Sequence, residues 1–140
     1  MNILRLMRCV RGASILEFAI LAPLFIAMLV GLIEFGRAYW IRQTLAEVAF
    51  HTARCMAMDT ACANQAQSVA FAVARASDYA ISITPSAVAP TSGVSCRGQA
   101  NSHQVTISTP FLSPIASFGF LPESLQVTAC FPVFSSGSGT

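Results

Sequence analysis

ASILEFAILAPLFIAMLVGLI, residues 13–33, runs for 21 positions with a single charge, that of Glu17. A helix of that length covers the ~30 Å hydrocarbon core of a bilayer. Three arginines, Arg5, Arg8 and Arg11, precede the run, and Gly12 separates them from it. Positive charge gathered on that side predicts a single-pass topology with the N-terminus in the cytoplasm and the chain after Ile33 exported. Glu17 is the anomaly. An ionisable group at bilayer depth costs roughly 2.5–3.5 kcal/mol on insertion scales and marks a functional position that needs a partner.

Composition supports membrane attachment. Hydrophobic residues make up 54% of the 140 and charged residues 10%, too apolar for a disordered chain and lean in charge for a freely soluble one. Beyond Gly12 there are five arginines, no lysine and six acids, a balance of about −1, so no basic stripe is left to follow phosphates and no nucleic-acid partner is expected. Of five cysteines, Cys9 belongs to the basic N-terminal piece. Cys55, Cys62, Cys96 and Cys130 form the even set expected of a small exported domain in an oxidising compartment.

A secretory signal peptide would need a small-residue cleavage site after the apolar core, but GLIEFGRAYW (residues 31–40) follows it. A lipoprotein signal fails because Cys9 stands before the run. Gly12 is instead followed by four residues and then Glu17 and Phe18, giving G-x-x-x-x-E-F behind a short basic leader. This pattern resembles the prepilin-peptidase site of type IV pilins, and the E-F form resembles the tight-adherence (Flp) branch. The resemblance implies removal of the leader between Gly12 and Ala13, with the apolar segment retained and Glu17 at the fifth mature position.

Cleavage at that bond would create an α-ammonium on Ala13, a cation able to pair with Glu17 of a neighbouring chain as helices stack. The chain's own amine lies only ~6 Å along the helix at ~1.5 Å per residue, so an intrachain pair competes. A shallow glutamate tilting toward headgroups is the plainer reading.

The order Arg11-Gly12, Glu17-Phe18, Pro23 and Glu34-Phe35-Gly36-Arg37 is similar to the N-terminal scheme of TadE-like minor pseudopilins, over roughly residues 11–55. Membership of that family would imply a bacterial inner-membrane protein that takes part in initiating or assembling a tight-adherence pilus, with the possibility of entering the filament. Its partners would be a prepilin peptidase, other minor pseudopilins, the major Flp-type pilin, the inner-membrane assembly platform and membrane lipid.

Apolar residues continue at helical spacing beyond the membrane through Ile33, Trp40, Ile41, Leu45, Val48, Ala49, Thr52 and Met56. Tyr39 and Trp40 suit an interfacial anchor. One helix over about residues 14–58 would run ~67 Å, about half of it outside the bilayer. Pro23 is expected to kink it, which neighbouring helices can accommodate. Asp59 and Thr60 read as a cap-like break, and residues 61–80 as a second amphipathic helix.

Alternation then predicts a strand over residues 80–86, a Pro/Gly loop over 87–93, strands at VSC and HQVTIST around the RGQANS turn, and a last strand over 124–133. PFLSPIASFGFLP (residues 110–122) reads as core cover in preference to an exposed contact surface. Four cysteines permit three connectivities. Local spacing favours Cys55–Cys62, which requires a turn because seven helical residues would separate the two Cα atoms by ~10.5 Å. Cys96–Cys130 is the remaining pair.

Catalytic groups are sparse. His51 and His103 have no cysteine or carboxylate at metal-ligand spacing, no phosphate loop or nucleophile elbow is present, and Asp59, Asp78 and Glu123 read as caps or turn residues. No enzyme activity, metal or cofactor is expected.

The expected fold is α+β: a long N-terminal transmembrane, pilin-like helix, a second short helix and a small antiparallel β-sheet domain. The expected divisions are a cleaved leader (1–12), a transmembrane segment (13–33), an exported continuation of the helix (34–58), a periplasmic domain (59–134) and a flexible tail (135–140). The rival reading is an uncleaved signal-anchored membrane protein whose periplasmic domain binds a ligand or surface.

Overall fold

The computed structural model describes residues 10–58, 60–114, 119 and 121–133. The basic leader with Cys9, the Asp59 break and the tail at 135–140 lie outside the described residues. Helix α1 spans Val10–Met58, followed by a 3-10 turn at Thr60–Cys62, helix α2 (Gln65–Asp78), a second 3-10 turn at Pro85–Ala87, and strands β1 (Val88–Cys96), β2 (Gln99–Pro110) and β3 (Ser124–Pro132). The strands form an antiparallel meander in the order β1-β2-β3, so the architecture is α+β as the sequence predicts. By contacts, the chain divides into two compact units after Gly36.

In the first unit, α1 is apolar on all sides. From Ile15 to Ile33 its large side chains are exposed, Phe18 at 72%. A helix hydrophobic all round belongs in a protein core or a membrane. Among the described residues α1 is the one helix long and apolar enough to span a bilayer, which suggests membrane anchoring.

In the second unit, α1 becomes one-sided. Leu45, Val48, Ala49, Thr52 and Ala53 are fully buried, and they share a core with Ala72 and Ala76 of α2, Ile83, Val88 of β1, Val105 and Ile107 of β2 and Val127 of β3. The Thr52 hydroxyl is satisfied inside this core by donating to the Val48 carbonyl at 2.8 Å. Helix α2 presents Ser68, Ala72 and Ala76 to the interior at four-residue spacing, small residues that let its backbone lie close to the core.

Helix α2 starts later than the periodicity suggests because Asn64 caps it, its Oδ1 accepting from the Gln67 N–H at 2.9 Å. The helix ends in a Schellman motif. The Ile81 N–H donates to the Ala76 carbonyl at 3.1 Å and the Ala80 N–H to Ser77 at 3.0 Å, with Ala80 at φ 57° where glycine is usual. Left-handed backbone costs an L-residue about 1–2 kcal/mol, only part of which is offset by glycine's greater freedom when unfolded, about 0.4–1 kcal/mol. Ala80→Gly should therefore raise the melting temperature of the detergent-solubilised full chain by a few degrees. A lowered melting temperature would mean that the Ala80 methyl contributes packing which outweighs the backbone term.

The expected strand over residues 80–86 does not form. Ala80 turns the chain, Pro85 lacks an N–H and opens a 3-10 turn, and Ile83 reaches the core without a strand partner. The strand begins instead at Val88, inside the segment expected to be a loop. Pro90 is tolerated there because β1 is an edge strand. Arg97 (φ 51°) and Gly98 (φ 82°) make the two-residue β1–β2 turn, both left-handed as a type I′ hairpin requires. Two bulges interrupt this hairpin. Ser92 and Gly93 oppose His103, and on the other strand Ala100 and Asn101 oppose Ser95. Strand β3 covers almost the whole of the expected last strand, with Leu125 and Val127 buried and Ala129 and Phe131 packed against the core.

Candidate functional site

The residues singled out in the sequence fall into three places. Gly12 and Ala13 lie in the backbone of α1, as do Glu17, Phe18 and Pro23. Glu17 and Phe18 are exposed, so the carboxylate lies on an otherwise apolar helix surface open to a neighbour. Pro23 is accommodated inside a continuous α-helix.

The second place is the post-membrane motif. Glu34 is buried, 9% exposed, whereas Phe35 is exposed and Gly36 has open space around its Cα. Arg37 turns to a segment far away in sequence. Its guanidinium carbon sits 4.7 Å from the centre of the Phe111 ring, and its Nη2 donates to the Leu112 carbonyl. Ala38, Phe111 and Leu125 form a small second core there, with Ile41 and Leu121 packed against it. The connection after β2 thus divides. Phe111 covers core and Leu112 faces outward, while residues 115–118 and 120 lie outside the described residues. Local sequence carries no sign of the Arg37–Phe111 pairing, because 74 residues separate the two; the stretch PFL was legible only as apolar.

The third place is the cysteines. Cys55, at the end of α1, and Cys62, in the 3-10 turn, are joined by a disulfide with their Cα atoms 5.7 Å apart, the turn having brought them together. Cys96 at the end of β1 is joined to Cys130 of β3, Cα to Cα 6.3 Å.

Among the described residues the polar remainder supplies no recognisable reaction chemistry. His51 Nε2 lies 3.6 Å from Glu47 Oε1, which also accepts from the Tyr79 hydroxyl at 3.2 Å. His103 Nδ1 is 3.0 Å from the Ser92 hydroxyl. Among the described residues no three His, Cys, Asp or Glu side chains converge in a way that could hold a metal. An open hollow of about 450 Å³ is lined by Phe50, Arg54, Ala57, Met58, Phe131 and Pro132, with the Phe50 and Phe131 rings edge to face at 5.9 Å. It is largely apolar and brings no acid–base pair together.

No curated protein and no solved structure gives a significant match to the chain. The region that does match is the one holding the apolar helix, Glu17 and the Arg37 motif: residues 12–54 fit the family model described as TadE-like protein, a match consistent with a TadE-like protein of the tight-adherence pilus system.

Proposed function

We propose that the chain is a minor pseudopilin. It enters the inner membrane through residues 13–33 with its N-terminus in the cytoplasm. A prepilin peptidase then cleaves it after Gly12, and it takes part in initiating or assembling a tight-adherence pilus. In this reading residues 34–58 continue the helix outside the bilayer and residues 59–134 form the periplasmic domain. The partners are other minor pseudopilins, the major Flp-type pilin and the inner-membrane platform. The observation that carries the reading is the N-terminal part of α1: exposed apolar side chains from Ile15 to Ile33, one exposed carboxylate at Glu17, and Gly12 separated from Glu17 by the four residues 13–16. Such a helix is stored in lipid and later buried among its neighbours, and the carboxylate is favourable only where an opposite charge meets it.

The test is processing in the native host. Protein extracted from the membrane should begin at Ala13, having lost Met1 to Gly12, and Gly12→Leu should accumulate at full length because a side chain there obstructs close approach of the protease to the backbone. Native protein that retains Met1 would remove the pseudopilin reading and leave an uncleaved anchor.

A further inference from the structure

β3 is an edge strand. β2 pairs with one side of it and, among the described residues, no strand pairs with the other. Two bonds at its ends fix which backbone groups lie on the open side. The Phe111 N–H donates to the Glu123 carbonyl at 2.8 Å and the Val133 N–H to the Asn101 carbonyl at 3.0 Å, so the odd-numbered residues bond to β2. Bonded and non-bonded residues alternate along an antiparallel pair. The N–H and C=O groups of Gln126 and Thr128 therefore point away from the sheet, and both residues are exposed.

An open hollow of about 330 Å³ lies at this edge, lined by Gln126, Val127 and Thr128, by Arg42 and Gln43 of α1, and by Arg97 of the β1–β2 turn. Arg97 reaches it because the hairpin tip is folded back. Cys130 stands opposite Gln104, and Gln104 opposite Thr91. In a flat hairpin Cys96, five residues further along β1, would lie about 16 Å beyond that level. The disulfide instead holds the Cα atoms of Cys96 and Cys130 6.3 Å apart, and the two bulges supply the bend. The two arginines consequently flank the edge from opposite faces of the sheet. α1 packs on the face that carries Val127, whereas Cys130, which anchors the tip, alternates with Val127 and Ala129 and belongs to the face of Gln126 and Thr128.

No acid lines the hollow. Arg75 has Asp78 at 3.8 Å and Arg37 holds the Leu112 carbonyl, but neither Arg42 nor Arg97 has an ion-pair or hydrogen-bond partner among the described residues. Two unpaired guanidiniums beside one stretch of open backbone are complementary to an acidic chain.

We propose that the free edge of β3 adds a strand from another protein, an extended segment with two consecutive acidic residues. Its backbone pairs with the outward N–H and C=O groups of Gln126 and Thr128. Successive side chains of a strand point to opposite faces, so one carboxylate meets Arg42 and the next meets Arg97. The six acids of this chain are never adjacent, so a second copy does not supply the pair. All of these residues lie in the second unit, and cleavage after Gly12 has no bearing on the contact.

Amide hydrogen exchange, followed by NMR on the full chain in non-ionic detergent, tests it. In the free protein the Gln126 and Thr128 amides should exchange about tenfold or more faster than those of Val127 and Ala129, whose slow exchange also reports an intact sheet in every variant. The capped peptide Thr-Val-Glu-Glu-Val-Thr at millimolar concentration should slow exchange at Gln126 and Thr128 and leave Val127 and Ala129 unchanged. Thr-Val-Lys-Lys-Val-Thr should not, nor should the acidic peptide with alternate amides N-methylated. Arg42→Gln and Arg97→Gln should each weaken binding of the acidic peptide about two- to fivefold. Slow exchange of Gln126 and Thr128 in the free protein would show the edge already covered, and lack of protection by the acidic peptide would show that it accepts no such strand; either overturns the docking site. Equal protection by the N-methylated peptide would overturn strand pairing. Equal protection by the lysine peptide, or unchanged affinity in both arginine variants, would overturn the acidic partner and leave the arginines as charges that keep an edge strand from pairing.

Discussion

Cells in which Glu17 is replaced by Gln should process the protein normally and hold it in the membrane, yet display few or no pili. The substitution keeps the shape of the side chain and removes its charge. Insertion should not suffer, because the apolar helix becomes less costly to bury. Docking should, because an amine on a neighbouring chain then enters a low-dielectric contact without its counter-charge. Removing one partner of such a pair costs about 3–5 kcal/mol, which corresponds to a docking constant lower by about 10²-fold or more. Three readouts on one strain separate the steps: mature mass, membrane fraction and surface pili. Normal piliation by fully processed Glu17→Gln protein would remove the assembly role assigned to the carboxylate.

The second large effect is on stability. The Cys96–Cys130 disulfide closes a sequence separation of 34 residues and Cys55–Cys62 one of 7. Restricting the unfolded chain scales with the logarithm of loop length, so the long loop contributes about 4 kcal/mol and the short one about 2.5 kcal/mol. For a domain whose whole stability is expected to be about 5–15 kcal/mol, loss of the first is severe. Cys96→Ala with Cys130→Ala should lower the melting temperature of the detergent-solubilised full chain further than Cys55→Ala with Cys62→Ala does, by circular dichroism under identical conditions. The reverse order would show that the disulfide between α1 and the turn after it holds the domain in some way other than by shortening the unfolded chain.

What could be read in advance depended on how far apart in the chain the cooperating residues lie. Helix α1, with a long apolar run continued by apolar residues at helical spacing, announces itself because the chemistry is local, and so does Glu17 as a charge within its segment. Alternation at Leu125 and Val127 likewise exposes β3. The strand expected at residues 80–86 failed because Ile81 and Ile83 alternate for a different reason: they follow a helix cap and feed the core from an unpaired segment. Only the end of β1, residues 94–96, was read as strand; residues 88–93 were misread as a loop because Pro90 and Gly93, which punctuate most sequences, are compatible with an edge strand and a bulge. The Asn64 cap was legible in principle, as an asparagine directly before Gln65. Arg37 stacking on Phe111 was not, since nothing near either residue specifies a partner 74 positions away.

The paired bulges of the β1–β2 hairpin bear on how this domain can change length over evolutionary time. β1 carries one extra residue at Ser92 and Gly93, and β2 carries one extra at Ala100 and Asn101, so the two offsets cancel before the turn. Each bulge is absorbed where it stands, two residues sharing one pairing position, so losing the extra residue of either strand alone restores regular pairing there and leaves Cys96 on its face of the sheet, opposite Gln99. Single-residue changes at either bulge should therefore be tolerated one strand at a time, and a descendant sequence shortened by one residue in β1 need not be shortened in β2.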